Sequence, residues 1–270
     1  MALEQVAREG LVLLGCGKMG SALLAGWLAA GLPPGSIWVL EPNPSDWLIA
    51  TGVHLNKGVP AAPAVALLAV KPQMMGAALP ALVALGNGRT LMVSIAAGTS
   101  IASFEQTFGP RTPIVRSMPN TPAMVWRGIT GICGNAHAGA AGLRLAAALM
   151  AAVGEVVELE GEHQMDAVTA VSGSGPAYVF HLIEAMAAGG VAQGLAPDVA
   201  MKLARATVCG AGELAFRASE TAAELRVNVT SPGGTTAAAL AVLMDADTGL
   251  PPLMARAIQA AADRGRELGK

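Results

Sequence analysis

Aromatic side chains are scarce in this chain: Trp, Phe and Tyr together make up 3% of its 270 residues, and Tyr178 is the only tyrosine. The core must therefore be packed from Ala, Leu, Val and Met, which let helices and sheets approach closely. Charge is also scarce, at 13% against 53% hydrophobic residues. So little polar surface to cover a monomer points to a buried interface between copies. The length predicts two domains.

No basic stripe for nucleic acid and no polybasic segment for a membrane interrupts the scattered Lys and Arg, and the net charge is −2. The longest uncharged run, between Lys18 and Glu41, holds Pro33, Pro34 and several glycines, which suits a membrane span poorly. The opening "MALEQVAREG" lacks the basic-then-apolar layout of a signal peptide. Cys16, Cys133 and Cys209 are far apart and odd in number, which predicts a reducing cytoplasm rather than a disulfide frame or a zinc site. His54, His137, His163 and His181 show no ligand spacing, so no metal site is expected.

What is present divides into two halves. Short apolar runs at 11–15, 36–41, 64–70, 90–96, 113–118, 129–134 and 155–159 predict strands, with helices at 18–30, 73–85 and 139–152. This alternation predicts an α/β, doubly wound (Rossmann-type) parallel sheet domain over 1–161. After Gly161 the strands stop, and "MDAVTAVSG", "GPAYVFHLIEAMAAGGVAQG", "APDVAMKLARATVCGAGELAFRAS" and "PPLMARAIQAAADRGRELG" predict an all-helical domain over 162–270. Gly194, Pro197, Pro232 and Pro251 mark its breaks.

"LVLLGCGKMGSALLAGWL" sets Gly15, Gly17 and Gly20 in G-x-G-x-x-G order between a strand and a helix. In that context Gly15 permits the tight turn, Gly17 lets a pyrophosphate reach the backbone, and Gly20 lets the helix pack on the strand. Free N–H groups at the helix start, around Cys16, Lys18 and Met19, then face the phosphates. The plainer reading is a glycine-rich βα turn. Glu41, at the end of the second strand, suits an adenosine ribose and repels a 2′-phosphate, which favours NADH over NADPH. Its plainer reading is a solvated carboxylate before Pro42. "AVKPQMM" and "SIAAGTS" put small residues at strand ends, where open α/β sheets bind ligands. Lys71 there is either a cofactor contact or an exposed loop charge.

The helical half carries one dense cluster of hydroxyls and glycines, "NVTSPGGTT" (228–236). A capped interhelical loop, with a Ser or Thr N-cap and Pro232 at the first helical position, accounts for part of it. A backbone anion site at a helix start accounts for the glycines as well. "SGSGPAY" reads as a packing break beside the pocket.

Together, "AVKP", "MPNTP" (118–122), "DAVTAVSGSGPAYVF" (166–180) and "NVTSPGGTT" resemble the pyrroline-5-carboxylate reductases, in order and over nearly the whole chain. The resemblance implies NAD(P)H-dependent reduction of a cyclic imine to proline. It also implies that the helical domain dimerises by intertwining with a second copy, and that some members build decamers. By position it implies cofactor contacts at Gly15 to Gly20, Asn56, Ala69, Val70, Lys71, Pro72, Ala96 and Ala97. It implies a substrate pocket within Asn228 to Thr236, with Gly233 among its residues. The chemistry of an anion site then puts the substrate carboxylate on Gly234, Thr235 and Thr236, with the Thr236 hydroxyl near the ring nitrogen. Glu220 matches a pocket position only with a one-residue deletion before Asn228. Glu41-Pro42-Asn43 departs from the basic or hydroxyl residue common there, which weighs against NADPH.

Two rival functions are separable. A β-hydroxyacid dehydrogenase resembles this plan but places a catalytic Lys on the long helix after the sheet, and no Lys occurs from Asp166 through Met201. A non-catalytic NAD(P)-binding module would leave the 228–236 loop without a task.

Overall fold

The computed structural model of the chain describes residues 2–269. They form two compact units, one of residues up to Gly173 together with those from Ala261, the other Ser174–Ala260.

In the first unit, α1 (Ala2–Glu9) precedes β1 (Leu11–Leu14) and α2 (Lys18–Ala29). β2 (Ile37–Leu40), α3 (Asp46–Ala50), β3 (His54–Leu55), β4 (Val65–Leu68), α4 (Met75–Ala78) and β5 (Leu91–Ser94) follow. Next come α5 (Ile101–Phe108), β6 (Ile114–Met118), β7 (Gly128–Gly134), α6 (Gly139–Met150), β8 (Gly154–Glu158) and α7 (Met165–Val168). The eight strands make one sheet in the order β3-β2-β1-β4-β5-β6-β7-β8.

Alternate residues of the central strands feed two different cores. Leu11, Leu13, Val65, Leu67 and Val93 pack with Leu23, Leu24, Trp27, Leu145 and Leu149 from α2 and α6. Val12, Leu14, Ala66, Leu68 and Met92 pack with Met75, Leu82, Phe104 and Phe108 on the other side. Because both faces are covered, β1, β4 and β5 are apolar at nearly every position and buried throughout. Trp27 is fully buried, and its indole N–H donates to the Leu149 carbonyl at 2.9 Å, so burial leaves no orphan donor.

The expected all-parallel sheet is interrupted once: β7 runs antiparallel to β6, pairing Arg116 with Cys133 and Met118 with Gly131. The short link between them, a 3-10 turn at Thr121–Val125, leaves no room for the crossover that a parallel return needs. α6 then supplies a crossover, and β8 lies parallel to β7. The helix expected at 73–85 is broken into 3-10 turns at Pro72–Met74 and Leu79–Leu85 around the single α-helical turn of α4. Pro80 removes a helical N–H there. α1, α3, α5 and β3 are additions to the sequence reading.

A π-helical turn, Thr169–Gly173, closes the N-terminal segment of the first unit. A Cβ at Gly173 would stand 2.7 Å from Met118 Cε, so this glycine of "SGSGPAY" serves packing.

The second unit contains α8 (Gly175–Ala192), α9 (Pro197–Arg217), α10 (Ala222–Asn228) and α11 (Thr235–Leu243); α12 (Leu250–Leu268) begins in it. α8 and α9 form a hairpin turned at Gly194, whose φ is +95°. Its buried apolar core is Ala187, Ala200 and Ala204. Large apolar side chains on the same helices stay exposed, Phe180 at 61% and Leu203 at 53% among them. So small a core cannot stabilise a unit of this size alone, and the exposed faces suit cover by another chain. Among the described residues, no helix is long and apolar enough to cross a membrane.

Candidate active site

The glycine loop between β1 and α2 has the geometry each glycine was expected to supply. Gly15 has φ +88°, and a Cβ there would stand 2.8 Å from Val70 Cγ1 and 3.0 Å from the Ala69 carbonyl. Gly20 lies under it: a Cβ at that position would be 2.6 Å from the Gly15 oxygen. Gly17 is different. It is the exposed N-cap of α2, no side chain caps that helix, and nothing lies within 4 Å of where its Cβ would be. Bare backbone at an uncapped helix start fits a pyrophosphate.

Around this loop, Lys18 is exposed while Cys16 and Met19 are half-buried against the core. The Cys16 thiol is held above its ordinary pKa by burial, a shift that the nearby Ser21 hydroxyl opposes and Glu41 adds to.

Glu41 follows β2 and turns its carboxylate to the loop. Its Oε2 accepts the Cys16 N–H at 2.8 Å, and its Oε1 accepts the Asn43 N–H at 2.9 Å. The Asn56 side chain bonds the Glu41 backbone twice: Oδ1 accepts the Glu41 N–H at 3.0 Å, and Nδ2 donates to the Glu41 carbonyl at 2.8 Å. Asn56, with φ +52°, thus fixes where Glu41 leaves the strand. Ala69 and Val70 are half-buried beyond β4, Lys71 and Pro72 exposed, and beyond β5 Ala96 is buried and Ala97 half-buried. β2, β1, β4 and β5 are parallel neighbours in register, Leu40 and Leu68 both opposite Leu14 and Ser94 opposite Leu68. The fold therefore gathers every N-terminal candidate at one sheet edge.

One group at this edge escaped the sequence reading. Glu162 Oε1 accepts both Arg116 Nη1 at 2.6 Å and the Ile101 N–H at 2.8 Å. The Arg116 side chain is 9% exposed. No periodicity or spacing marks such a pair, because its members sit on different elements. The signal available in the sequence is the charge of Arg116 within the mostly apolar strand β6.

In the second unit, Ser231 to Gly234 form a tight turn closed by the Gly234 N–H donating to the Ser231 carbonyl at 3.0 Å. Gly233 has φ +69°. Pro232 is therefore the second residue of a turn with a left-handed third position, not the first residue of a helix as expected. α11 starts at Thr235 with Gly234 as its N-cap, and no side chain caps it. A Cβ at Gly234 would be 2.4 Å from Ser231 Oγ. The capped-loop reading thus fails at this helix, whose first-turn N–H groups lack a capping side chain. Thr230 is already used, its hydroxyl donating to the Arg226 carbonyl at 2.6 Å. Asn228 ends α10 and is exposed. Glu220, also exposed, accepts from the Ser219 hydroxyl at 3.4 Å, while Glu224 makes the capping box with Thr221.

Comparison with known proteins finds one family for each half of the chain, the second beginning before Ser174 and ending beyond Ala260, within the first unit. A family described as "NADP oxidoreductase coenzyme F420-dependent" matches residues 11–98, and one described as "Pyrroline-5-carboxylate reductase dimerisation" matches 162–268. The first unit accordingly carries an NAD(P)-binding domain, followed by a helical dimerisation domain. A pyrroline-5-carboxylate reductase of Pseudomonas aeruginosa is 40% identical over 266 residues, covering 96% of this chain and 97% of that protein. The solved pyrroline-5-carboxylate reductase of Coxiella burnetii superposes with a TM-score of 0.91 at 34% identity, over 97% of this chain and 99% of that one. The Plasmodium falciparum pyrroline carboxylate reductase, solved with NADP bound, has a TM-score of 0.81 at 28% identity, over 97% and 98% of the two chains. With a bare-backbone loop at each of two helix starts and full-length relatives that share its fold, the chain belongs to the pyrroline-5-carboxylate reductase family.

Proposed function

We propose that the chain reduces 1-pyrroline-5-carboxylate to L-proline, the closing step of proline biosynthesis, with hydride from NADH or NADPH. The observation that carries this reading is the start of α11, a helix N-terminus with Gly234 as its N-cap and no side-chain hydrogen bond capping it. No Lys or Arg occurs between Arg226 and Arg256, so a substrate carboxylate here is met by backbone. N–H groups at a helix start do that without a charged side chain.

Residues 1–161 serve the cofactor and 162–270 the substrate and self-association. The Thr235 and Thr236 amides bind the carboxylate, with Gly233 and Gly234 leaving the backbone uncovered. The Thr236 hydroxyl hydrogen-bonds at the ring nitrogen, and Asn228 and Glu220 complete the pocket. The Gly15–Gly20 loop holds the pyrophosphate, while Ala69 to Pro72, Ala96 and Ala97 flank the rest of the dinucleotide. When bound, the reduced nicotinamide would supply hydride to the carbon of the protonated imine, whose nitrogen keeps that proton as the ring amine. Such a transfer needs closeness and exclusion of water more than a strong acid.

Glu41 supports a preference for NADH, because its carboxylate faces the loop and repels a 2′-phosphate. The exposed faces of α8 and α9 support dimerisation through the helical domain, and three unpaired cysteines suit a reducing cytoplasm. A β-hydroxyacid dehydrogenase reading has no lysine on α8 to rest on.

Mixing the purified protein with 1-pyrroline-5-carboxylate and NADH, then NADPH, tests the activity. Loss of absorbance at the reduced nicotinamide band is the expected result. Inertness with both cofactors overturns it.

A further inference from the structure

We infer that Glu162 is a positioning residue for the loop that joins β5 to α5, and through that loop for Ala96 and Ala97. This rests on the reading above, in which those two residues flank the cofactor.

The loop has few polar side chains of its own to hold its shape. "IAAGT" (95–99) offers two alanines and a glycine at its centre, so it has few side chains with which to anchor. Internally, the Ala96 N–H donates to Ser94 Oγ at 3.2 Å. Gly98, with φ +73°, lies against Leu268, whose backbone oxygen would be 3.2 Å from a Cβ there. The Ile95 N–H donates to the Leu68 carbonyl at 3.1 Å, and Ala96 is buried. A further restraint, at the start of α5, comes from one ion pair. At the near end, Ser94 is the strand partner of Arg116 on β6. At the far end, the Ile101 N–H donates to Glu162 Oε1 at 2.8 Å, and the same oxygen takes Arg116 Nη1 at 2.6 Å. Arg116 and Glu162 thus close a clasp around the loop.

The chemistry suits a clasp. Ile101 is the first residue of α5, so its N–H has no acceptor within the helix. The N-cap Ser100 accepts from Ser103 N–H at 3.2 Å and leaves Ile101 to Glu162. A carboxylate is favoured at a helix N-terminus, and hydrogen bonds to a charged acceptor are the stronger kind. Arg116, nearly buried, offsets the charge of Glu162, whose side chain is 33% exposed.

Three substitutions test this. Glu162→Ala removes the acceptor. Glu162→Gln keeps a side-chain oxygen for Ile101 but removes the charge. Ile101→Pro removes the donor at a first helical position that tolerates proline, after a Ser100 already extended at ψ 159°. The readouts are hydrogen exchange at residue 101 of the cofactor-free protein (not for Ile101→Pro, which has no N–H), NADH and NADPH affinity by fluorescence titration, and KM for the imine.

For Glu162→Ala we expect faster exchange at Ile101 and nicotinamide nucleotide binding weakened about tenfold. KM for the imine should stay within about twofold. Ile101→Pro should weaken nucleotide binding to a similar degree, and Glu162→Gln, which keeps the acceptor but leaves nearly buried Arg116 without its counter-charge, should fall between the original and Glu162→Ala. Unchanged affinity in Glu162→Ala, or a Glu162→Gln as weak as Glu162→Ala, overturns the inference. If Glu162→Ala does not fold, Ile101→Pro decides: unchanged nucleotide affinity there overturns the inference equally. Wild-type protein that binds neither nucleotide would instead overturn the cofactor reading, while exchange at Ile101 would still report whether the clasp exists.

Discussion

Glu41 accepts the backbone N–H of Cys16 at 2.8 Å, so the carboxylate at the end of β2 is part of the glycine loop's own structure. Sequence position alone gives Glu41 one task, selecting the ribose. The hydrogen bond gives it a second, fixing the loop that meets the phosphates.

The two tasks separate by substitution. Glu41→Gln keeps an acceptor for Cys16 and removes the charge that opposes a 2′-phosphate. Its ratio of kcat/KM for NADH over NADPH should fall about tenfold, the equivalent of about 1.4 kcal/mol. Glu41→Ala should shift the ratio similarly and also weaken both cofactors. Steady-state kinetics with each cofactor reads this, and an unmoved ratio in both variants removes Glu41 from cofactor choice.

Gly17 and Gly20 should fail in different ways. A Cβ at Gly20 would press on the Gly15 oxygen at 2.6 Å, whereas one at Gly17 would meet nothing within 4 Å. Gly20→Ala is expected to destabilise the fold by about 1–3 kcal/mol. Gly17→Ala should stay within about 0.5 kcal/mol of the original yet lose nucleotide affinity. Denaturant unfolding of the cofactor-free protein, set beside a nucleotide titration, distinguishes them. Equal stability losses would mean that the open space at Gly17 is not reserved for a ligand.

Thr236→Ala should slow imine reduction more than it weakens cofactor binding, because its hydroxyl is assigned to the substrate nitrogen. One lost hydrogen bond predicts about a tenfold drop in kcat/KM for the imine. Gly234→Ala would crowd Ser231 Oγ and should raise KM by displacing the turn. A Thr236→Ala variant with equal losses for imine and cofactor would remove the residue from its assigned place.

Cys133 gives the protein an alkaline weakness. Burial pushes its thiol up to about 11 from an ordinary 9.0, a rise that nearby Arg116 opposes and Glu162 adds to. Between those pH values the unfolded chain has lost a proton that the folded chain retains. Stability therefore falls as pH rises from about 9 to about 11 and is unaffected by this thiol below that window. Urea unfolding at fixed protein concentration should show a shallower alkaline decline in Cys133→Ala than in the original chain. Identical slopes would rule the thiol out as the cause.

Particular residues show how far sequence reading reached. The spacing of Gly15, Gly17 and Gly20 places a tight turn, an open backbone and a close helix–strand contact, and the structure has a positive φ at Gly15, open space at Gly17 and the Gly15 oxygen against Gly20. Pro232 was misplaced, because Ser-Pro before a helix and Ser-Pro within a turn look alike until the next residue's φ is known. Gly233 at +69° decides for the turn. The reversal at β7 was equally hidden, since a strand's apolar pattern carries no direction.

By itself, the sequence determined the things that depend on near neighbours along the chain. These are strand and helix periods, the glycine loop between β1 and α2, and the glycine–hydroxyl cluster before α11. Backbone sterics and hydrophobic spacing act over a few residues and leave marks at fixed intervals. Only the tertiary structure decided that Glu41 reaches Cys16, that β7 runs against β6, and that Arg116 and Glu162 close on Ile101. Each of these joins residues from separate elements, and a hydrogen bond between distant segments depends on distance in space, which no interval in the chain records.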